Sequence, residues 1–234
     1  MNWDLLGQLL VNGVIVGTLY GVVAMCFVLI YKSTQIVNFA QGEFLLIGAW
    51  VCWAMLIYLE IPFWLGFLFT LVFMFAFGVL LQVVVLRPMI GEPIISVIML
   101  TIGLSIFFQS LMSWIFGEWV KPFPEVFSAR SVDVLGLQVE PAYLMSMVFA
   151  LIVMGGFFYF FKYSKMGLAM RATAFDQQVA ASLGISVKQV FALSWAISAM
   201  VSAMAGVVIG MVNGVSSALS FFGIKVFPAA ILGG

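Results

Sequence analysis

The chain carries six long blocks of apolar residues, and this pattern constrains its fold more than any other feature. The blocks cover residues 9–31, 44–59, 63–86, 94–116, 142–161 and 190–213, and each is bounded by charge, proline or glycine. Most of them approach the ~20 residues that a helix needs to cross a bilayer. Because 65% of the residues are hydrophobic and only 8% are charged, the chain cannot cover a water-facing surface of this size. The sequence therefore predicts an all-α integral membrane protein, a polytopic helical bundle.

A seventh apolar block opens near Val226, and the sequence ends at Gly234 a few residues later. This pattern predicts about six full spans plus the start of a seventh, in a single transmembrane domain over residues 1–234 that is truncated at its C-terminus. The block at 44–59 is short for a span. We therefore expect that it tilts less than the others or begins within residues 38–43.

The positions of lysine and arginine set the expected orientation, because basic residues are enriched in cytoplasmic loops. Alternating spans place one set of these residues on the predicted cytoplasmic side: Lys32, Arg87, Lys162, Lys165, Arg171 and Lys188. The opposite side has Lys121, Arg130 and Lys225. This division predicts an extracytoplasmic N-terminus, an extracytoplasmic loop at 117–141 and a cytoplasmic loop at 162–189. Within the outer loop, residues 131–139 alternate like a small hairpin that turns at Leu135-Gly136.

Composition disfavours several classes of function. The nine basic and nine acidic residues balance, so we expect no basic face for nucleic acid. There is no histidine, and Cys26 and Cys52 both lie in apolar runs, so we expect no metal site and no disulfide framework. The sequence has no hydrolase, metalloprotease or phosphate-loop motif, so we expect no catalytic residue and no cofactor. The energy for any transport would then come from a partner or an ion gradient.

A polar segment interrupts the apolar pattern after the first block, where Asn38, Gln41 and Glu43 fall within six residues, beside Gly42. Polar groups at membrane depth are costly unless they face protein or a water-filled cavity. Broken helices that line such a cavity are the usual site of substrate handling in transporters. The segment is therefore a candidate translocation pathway, and an ordinary interfacial loop is the alternative.

Two blocks carry polar side chains at strict four-residue spacing, which places each set on one face of a helix. The stripe of the fourth block consists of Thr101, Ser105, Gln109 and Ser113, and that of the sixth consists of Ser194, Ser198 and Ser202. Such stripes more often bond neighbouring helices than line a path. Thr101, Ser105 and Gln109 are nevertheless further candidates for the translocation pathway.

Glycine recurs every fourth residue in two blocks, which allows neighbouring helices to approach closely. We predict helix-packing faces at Gly13, Gly17 and Gly21 in the first block and at Gly206, Gly210 and Gly214 in the sixth. The two blocks run in opposite directions, and each precedes a polar or proline-containing segment. This arrangement is typical of an inverted repeat.

The inner loop predicts a short helix over residues 173–184. Thr173 and Asp176 form a variant of the capping box, and Gly184 suits the position after the C-cap. The apolar residues recur at four-residue spacing and make one stripe, which consists of Phe175, Val179 and Leu183. On these grounds alone, the helix either docks on a partner or lies in the lipid interface.

Three stretches of the sequence resemble motifs of one transporter family. Residues 36–44, which read Ile-Val-Asn-Phe-Ala-Gln-Gly-Glu-Phe, resemble the INFAHGEF signature of the LivH-type branched-chain amino acid ABC permeases. Residues 166–185 are similar to the cytoplasmic coupling loop of that family, and residues 225–234 look like its KAFAAVVLGG motif. Gln41 stands where the family commonly has histidine, and Pro228 departs from the usual alanine.

The resemblance covers essentially the whole chain and implies a permease subunit of an importer for leucine, isoleucine and valine in the bacterial inner membrane. Its implied partners are a second homologous permease, two cytoplasmic ATP-binding subunits, an extracytoplasmic solute-binding protein and membrane lipid. It also implies that the inner-loop helix couples the permease to an ATPase subunit. The residues expected at that contact are Arg171, Thr173, Phe175, Asp176, Val179, Ala180, Ala181, Leu183 and Gly184.

Other functions remain open at this point. Permeases for urea or short-chain amides resemble the same pattern, and a stand-alone channel would need no ATPase. An intramembrane enzyme is disfavoured because the sequence has neither a nucleophile motif nor a set of metal ligands.

Overall fold

The chain folds into a bundle of apolar helices, and a computed structural model describes residues 3–89, 92–124, 126, 132–134, 137–139 and 141–233. The α-helices are α1 (Trp3–Thr34), α2 (Gln41–Ile57), α3 (Phe63–Leu81), α4 (Ile94–Phe116), α5 (Pro141–Tyr163), α6 (Lys165–Phe175), α7 (Gln177–Ser182), α8 (Val187–Asn213) and α9 (Phe221–Gly233). A π-helical turn (Gln82–Leu86) and a 3₁₀ turn (Arg87–Met89) extend α3, and a second 3₁₀ turn (Ser217–Ser220) precedes α9.

The 117–141 loop contains the small hairpin that the alternating residues predicted. Strands β1 (Val132–Val134) and β2 (Leu137–Val139) are antiparallel, and Val132 pairs with Val139. The predicted turn at Leu135-Gly136 lies outside the described residues.

Five helices in the described part of the chain are long and apolar enough to cross a membrane: α1, α3, α4, α5 and α8. They match five of the six predicted spans. The side chains on their outer faces are large and apolar, as Trp64, Ile95 and Ile152 show, and a lipid-facing surface requires this character. The prediction of an all-α polytopic membrane protein is confirmed.

Helix α8 lies at the centre of the bundle, packed against α1, α2 and α3. Small residues allow the backbones of these helices to approach closely. A Cβ atom on Gly206 would overlap the carbonyl group of Leu45 in α2. A Cβ atom on Gly78 in α3 would lie 2.6 Å from the carbonyl oxygen of Trp195. The core therefore depends on glycine at these two crossings.

Helix α2 begins at Gln41, within residues 38–43, as the short block at 44–59 led us to expect. It is not one of the five helices that are long enough to cross a membrane, because it begins level with the middle of its neighbours. Its first residue, Gln41, bonds to Ser198 and Ser202, which flank the midpoint of α8. Its third residue, Glu43, accepts a hydrogen bond from Ser105, the middle residue of α4. Helix α2 thus starts at mid-depth and runs to one side of the bundle, parallel to the second half of α8.

Helix α9 begins at the same depth and runs the opposite way. Phe222 stacks on Tyr20 with ring centroids 5.3 Å apart, and Phe227 lies 6.0 Å from Phe27. Because the later residue of α9 contacts the later residue of α1, α9 is parallel to α1, as α2 is to α8. The seventh apolar segment therefore starts at Phe221 rather than near Val226. Lys225, which the sequence assigned to the outer side near the start of this block, lies inside the helix.

The two ends of the bundle are defined by contacts between loops. At one end, the indole N–H of Trp53 donates to the carbonyl oxygen of Pro122 over 3.1 Å, and Lys121 forms a backbone bridge with Val215. The C-terminal ends of α2, α4 and α8 meet there. At the other end, Thr34 at the end of α1 and Gln177 at the start of α7 border one cavity. Helices α3, α4, α5 and α8 alternate in direction, and α3 runs the same way as α1 because α2 returns the chain to the end at which α1 begins.

Candidate translocation site at the helix junction

The N-termini of α2 and α9 face each other at mid-depth, and two glycines allow them to meet. A Cβ atom on Gly42 would overlap the carbonyl oxygen of Ser220, and a Cβ atom on Gly223 would overlap the backbone nitrogen of Gly42. The first N–H groups of a helix have no partner within it and carry a partial positive charge. Two such ends therefore converge at one point, which we call the helix junction.

Sequence reasoning identified only one side of this junction. It singled out residues 38–43 but passed over Ser220 and Gly223. A signal was present, because four of the five residues from Ser216 to Ser220 are small serines or alanine directly after the second glycine stripe. Its position mirrors that of the polar segment after the first stripe.

The segment between α1 and α2 re-enters the membrane without helical structure. The backbone turns at Gln35, whose φ is 58°. The backbone N–H of Phe39 donates to the hydroxyl of Thr101 over 3.3 Å, and the N–H of Ala40 donates to the side-chain oxygen of Asn38 over 3.0 Å. Non-helical backbone is tolerated at membrane depth only where protein or water satisfies it. Thr101 and Asn38 supply those partners.

A buried polar cluster clamps this segment to the centre of the bundle. The side-chain amide of Asn38 donates to Gln41 over 3.1 Å, and Gln41 donates to Ser198 over 3.0 Å and also to Ser202. Ser198 reaches the carbonyl oxygen of Cys26 at 3.2 Å. Asn38 and Gln41 use these bonds within the protomer and are almost completely buried. They hold the break in place rather than facing an open path.

The polar stripe of α4 bonds three different parts of the junction. Thr101 contacts the re-entrant segment, Ser105 donates to Glu43 over 3.0 Å, and Gln109 donates to Ser220 over 3.2 Å. Thr101 is buried, whereas Ser105 and Gln109 are half-buried. The stripe therefore connects helices, and its second and third members also remain partly accessible.

Glu43 is the group at the junction with unused hydrogen-bonding capacity. Its side chain is 2% exposed, and Oε1 accepts from Ser105 while Oε2 has no partner among the described residues. A buried acceptor left unpaired costs free energy, and ionisable groups at membrane depth usually mark functional sites. Its place in the first turn of α2 is favourable for a carboxylate. Glu43 is thus the candidate binding group of the junction.

A cavity of about 390 Å³ lies next to the re-entrant segment, between α1 and α9. Its walls are mostly apolar and consist of Phe27, Val28, Tyr31, Val37, Phe227, Ala230 and Ile231. Small-molecule sites typically combine an apolar wall with a few polar groups. This cavity offers the apolar part beside the polar junction.

The 162–189 loop forms two helices instead of the single predicted helix over 173–184. Asp176 has an extended backbone (φ −157°, ψ 117°), and its carboxylate accepts from the N–H groups of Gln178 and Val179 at 2.7 and 2.9 Å. It is therefore the N-cap of α7. Thr173 lies inside α6, where its hydroxyl donates to the carbonyl oxygen of Ala169. The predicted cap at Thr173 is wrong because Asp176 satisfies the free N–H groups itself.

Helix α7 ends at Gly184, whose φ of +85° suits glycine. The N–H of Gly184 donates to Ala181 and that of Ile185 donates to Ala180, both over 3.0 Å. These two hydrogen bonds together form a Schellman motif. Both ends of the six-residue helix are thus fixed by specific bonds.

Three apolar side chains of the 162–189 loop point away from the bundle. Phe175 is 93% exposed, Val179 53% and Leu183 74%. We call these three residues the α7 patch. Ala180 is buried beneath them, whereas Ala181 is exposed. Arg171 is exposed as well, and its guanidinium donates to the carbonyl oxygen of Phe161. A partner or the lipid interface could cover this patch, whereas the described residues of the protomer do not.

The two glycine stripes differ in their surroundings. On α8, Gly206 meets the backbone of α2, and a Cβ atom on Gly210 would lie 3.7 Å from Ala49. Gly214 ends α8 with a φ of +77°. On α1, Gly13 and Gly17 have no described atom within 4 Å of a built Cβ, and Gly21 meets only the side chain of Met154. The predicted packing face at Gly13 and Gly17 is wrong within the protomer, because no described element lies opposite.

A bundle of crossing helices with two half-membrane helices meeting at a polar junction defines a helical membrane transport protein. Residues 9–234 match the family model described as the permease component of branched-chain amino acid transport systems. The chain belongs to this family.

Named relatives agree with this assignment. The high-affinity branched-chain amino acid transport system permease protein LivH of Escherichia coli K12 is 31% identical, and its counterpart in Salmonella typhimurium is 30% identical. The corresponding protein BraD of Pseudomonas aeruginosa is 30% identical. Each match covers 97% of this chain and 78% of the relative. No solved structure matches the chain.

Proposed function

We propose that the chain is a permease subunit of an ABC importer and translocates branched-chain amino acids. The observation that carries this proposal is the helix junction, where the N-termini of two half-membrane helices converge beside Glu43. The names of the relatives supply the substrate class. The proposed partners are a second homologous permease, two cytoplasmic ATP-binding subunits and an extracytoplasmic solute-binding protein, assembled in the bacterial inner membrane.

The proposed orientation places the N-terminus and the 117–141 loop outside and the 162–189 loop in the cytoplasm. The positive-inside rule supports it, since the end of the bundle that carries α6 and α7 also carries Lys32, Arg87 and Lys188. A reporter enzyme inserted in the 117–141 loop should be active only outside, and one inserted at Gln178 only inside. The reverse pattern would overturn the orientation.

At the junction, the pathway residues divide into two groups. Glu43, Ser105 and Gln109 are the proposed contacts with the solute, because Glu43 has an unpaired carboxylate oxygen and Ser105 and Gln109 are half-buried. Asn38, Gln41 and Thr101 hold the re-entrant segment in position through bonds within the protomer.

Helix α7 is the proposed coupling element. Its patch is a solvent-side apolar surface on a helix fixed at both ends, and exposed apolar surface of this kind marks interaction sites. Gln177 at its start borders a cavity of about 200 Å³ that Gln35 and Val37 of the re-entrant segment also line. A shift of α7 driven by an ATPase subunit would therefore act on the re-entrant segment across this cavity.

Replacing Val179 by Glu tests the coupling role. A charge buried in an ATPase groove would cost several kcal/mol, so co-purification of the ATPase should fall sharply while the second permease still co-purifies. Ala181→Glu, on the other flank of α7, should act similarly if a groove encloses the helix. Gln189→Glu is the matched control, because it adds the same charge to an exposed position in the first turn of α8. Undiminished ATPase binding and uptake in Val179→Glu would exclude coupling through this patch.

Uptake into proteoliposomes tests the transport function itself. Vesicles that carry the assembled complex in their membrane, with the solute-binding protein outside, should accumulate leucine only when ATP is inside. Leucine entry without ATP would favour a stand-alone channel. ATP-dependent uptake of urea or acetamide, without uptake of leucine, would instead support a permease for urea or short-chain amides.

A further inference from the structure

Lys225 is a charged residue in the middle of an exposed apolar face. It lies on α9 between Phe221 and Ala229, which occupy the same side of the helix one turn away in each direction. The neighbouring Ile224 is 58% exposed. The opposite side of α9, with Gly223 and Val226, is buried against the bundle. The described part of the protomer therefore leaves this lysine open.

The depth of Lys225 follows from the helix junction. Gly223 packs against Gly42, at the depth where Ser105 marks the middle of α4. Lys225 is two residues further along, about 3 Å at the 1.5 Å rise of an α-helix. Its backbone thus lies close to the centre of the membrane.

The side chain of Lys225 points toward that centre rather than away from it. Its Nζ lies 5.8 Å from the centroid of the Phe222 ring, and Phe222 is one turn closer to the N-terminus of α9. Helical side chains lean toward the N-terminus of their helix. Lysines near the end of a span commonly reach outward to the membrane surface, but this one is directed the opposite way.

We propose that Lys225 lines a water-filled translocation path and binds the carboxylate of the transported solute. An ammonium group held near the bilayer centre is too costly to face lipid, so it faces protein or water. The converging helix N-termini add positive potential at the same depth and favour an anion there. The carboxylate assignment rests on the proposed function, since every amino acid carries this group.

Thiol accessibility tests the path without reference to any substrate. Lys225→Cys in the assembled complex should react with a water-soluble anionic methanethiosulfonate about tenfold or more faster than Val72→Cys, because the reactive thiolate forms only in contact with water. Val72 is exposed near the middle of α3 and is surrounded by apolar residues. The native Cys26 and Cys52 are buried, so the unmodified chain gives the background. Equal rates for the two variants would overturn the proposal, since the ammonium would then face another protein surface.

Uptake and protection test the carboxylate. Lys225→Gln should lower leucine uptake about tenfold or more, as expected when one partner of a desolvated charge pair is removed. Lys225→Arg should restore much of it, and Lys32→Gln, in the last turn of α1, should leave it unchanged. Saturating leucine should slow the labelling of Lys225→Cys. If Lys225→Cys is labelled fast but Lys225→Gln takes up leucine normally, carboxylate binding is refuted. Failure of the unmodified complex to transport leucine would instead refute the proposed function.

Discussion

Gly42 and Gly223 lie against each other at the centre of the bundle, where neither position has room for a Cβ atom. This contact joins two helices that enter from opposite sides of the membrane. Helix α2 pairs with α8, and α9 pairs with α1, so each half-membrane helix packs on the long helix that precedes the other. The arrangement agrees with the inverted repeat that the two glycine stripes indicated.

Gly42→Ala should destabilise the junction. The added methyl group would overlap the Ser220 carbonyl, and overpacking of this kind costs about 1–3 kcal/mol. We expect a lower melting temperature in detergent and reduced uptake. Gly17→Ala is the matched control, because nothing described lies within 4 Å of its Cβ position. Equal melting temperatures for the two variants would contradict the close contact.

Gln41→Met should lower the stability of the protein whereas Gln82→Met should not, although both glutamines are buried. Gln41 bonds to Asn38, Ser198 and Ser202, and removing a partner from buried groups costs about 1–3 kcal/mol. The side-chain amide nitrogen of Gln82 has no partner among the described residues, so its replacement should be neutral or stabilising. Thermal unfolding of the two variants in detergent measures the difference. A greater loss of thermal stability in Gln82→Met than in Gln41→Met would refute the stabilising role of the Gln41 hydrogen bonds.

Glu43→Gln should impair transport while the protein still folds and assembles. Its Oε1 still accepts from Ser105, but the charge that a solute could pair with is gone. Losing a charged hydrogen bond of about 1.5–3 kcal/mol corresponds to a roughly ten- to hundredfold drop in uptake. Normal uptake would exclude a role in the path, and failure of the variant to accumulate would indicate a structural role instead.

Asp176→Ala should unwind α7, because it removes the acceptor for two backbone N–H groups. Loss of such a cap costs about 0.5–2 kcal/mol, a large share for a helix of six residues. Hydrogen exchange over residues 177–183 should accelerate, and ATPase co-purification should weaken. Asp176→Ser retains a capping oxygen and should behave nearly as the unmodified chain. If Asp176→Ala exchanged no faster, the cap would not stabilise the helix.

The sequence by itself determined the membrane class, five of the spans and the family. These features depend on local composition, because each crossing helix must present a continuous apolar run to lipid wherever its neighbours lie. The positions of Gly184 at a helix end and of the β1–β2 hairpin are local in the same sense, since they follow from backbone preferences over a few residues.

The tertiary structure alone decided where the polar groups lie and what they do. Gln41 finds its partner Ser198 157 positions away, so no local pattern could show that α2 starts at mid-depth. The glycine stripes of α1 and α8 share one spacing, but only the second meets the backbone of another helix, because packing depends on what lies opposite. From the sequence alone, Lys225 was expected to lie in a loop beside an apolar block. The contact of Gly223 with Gly42 places it level with the middle of the crossing helices, since the position of a helix in the bundle is set by the neighbours on which it packs.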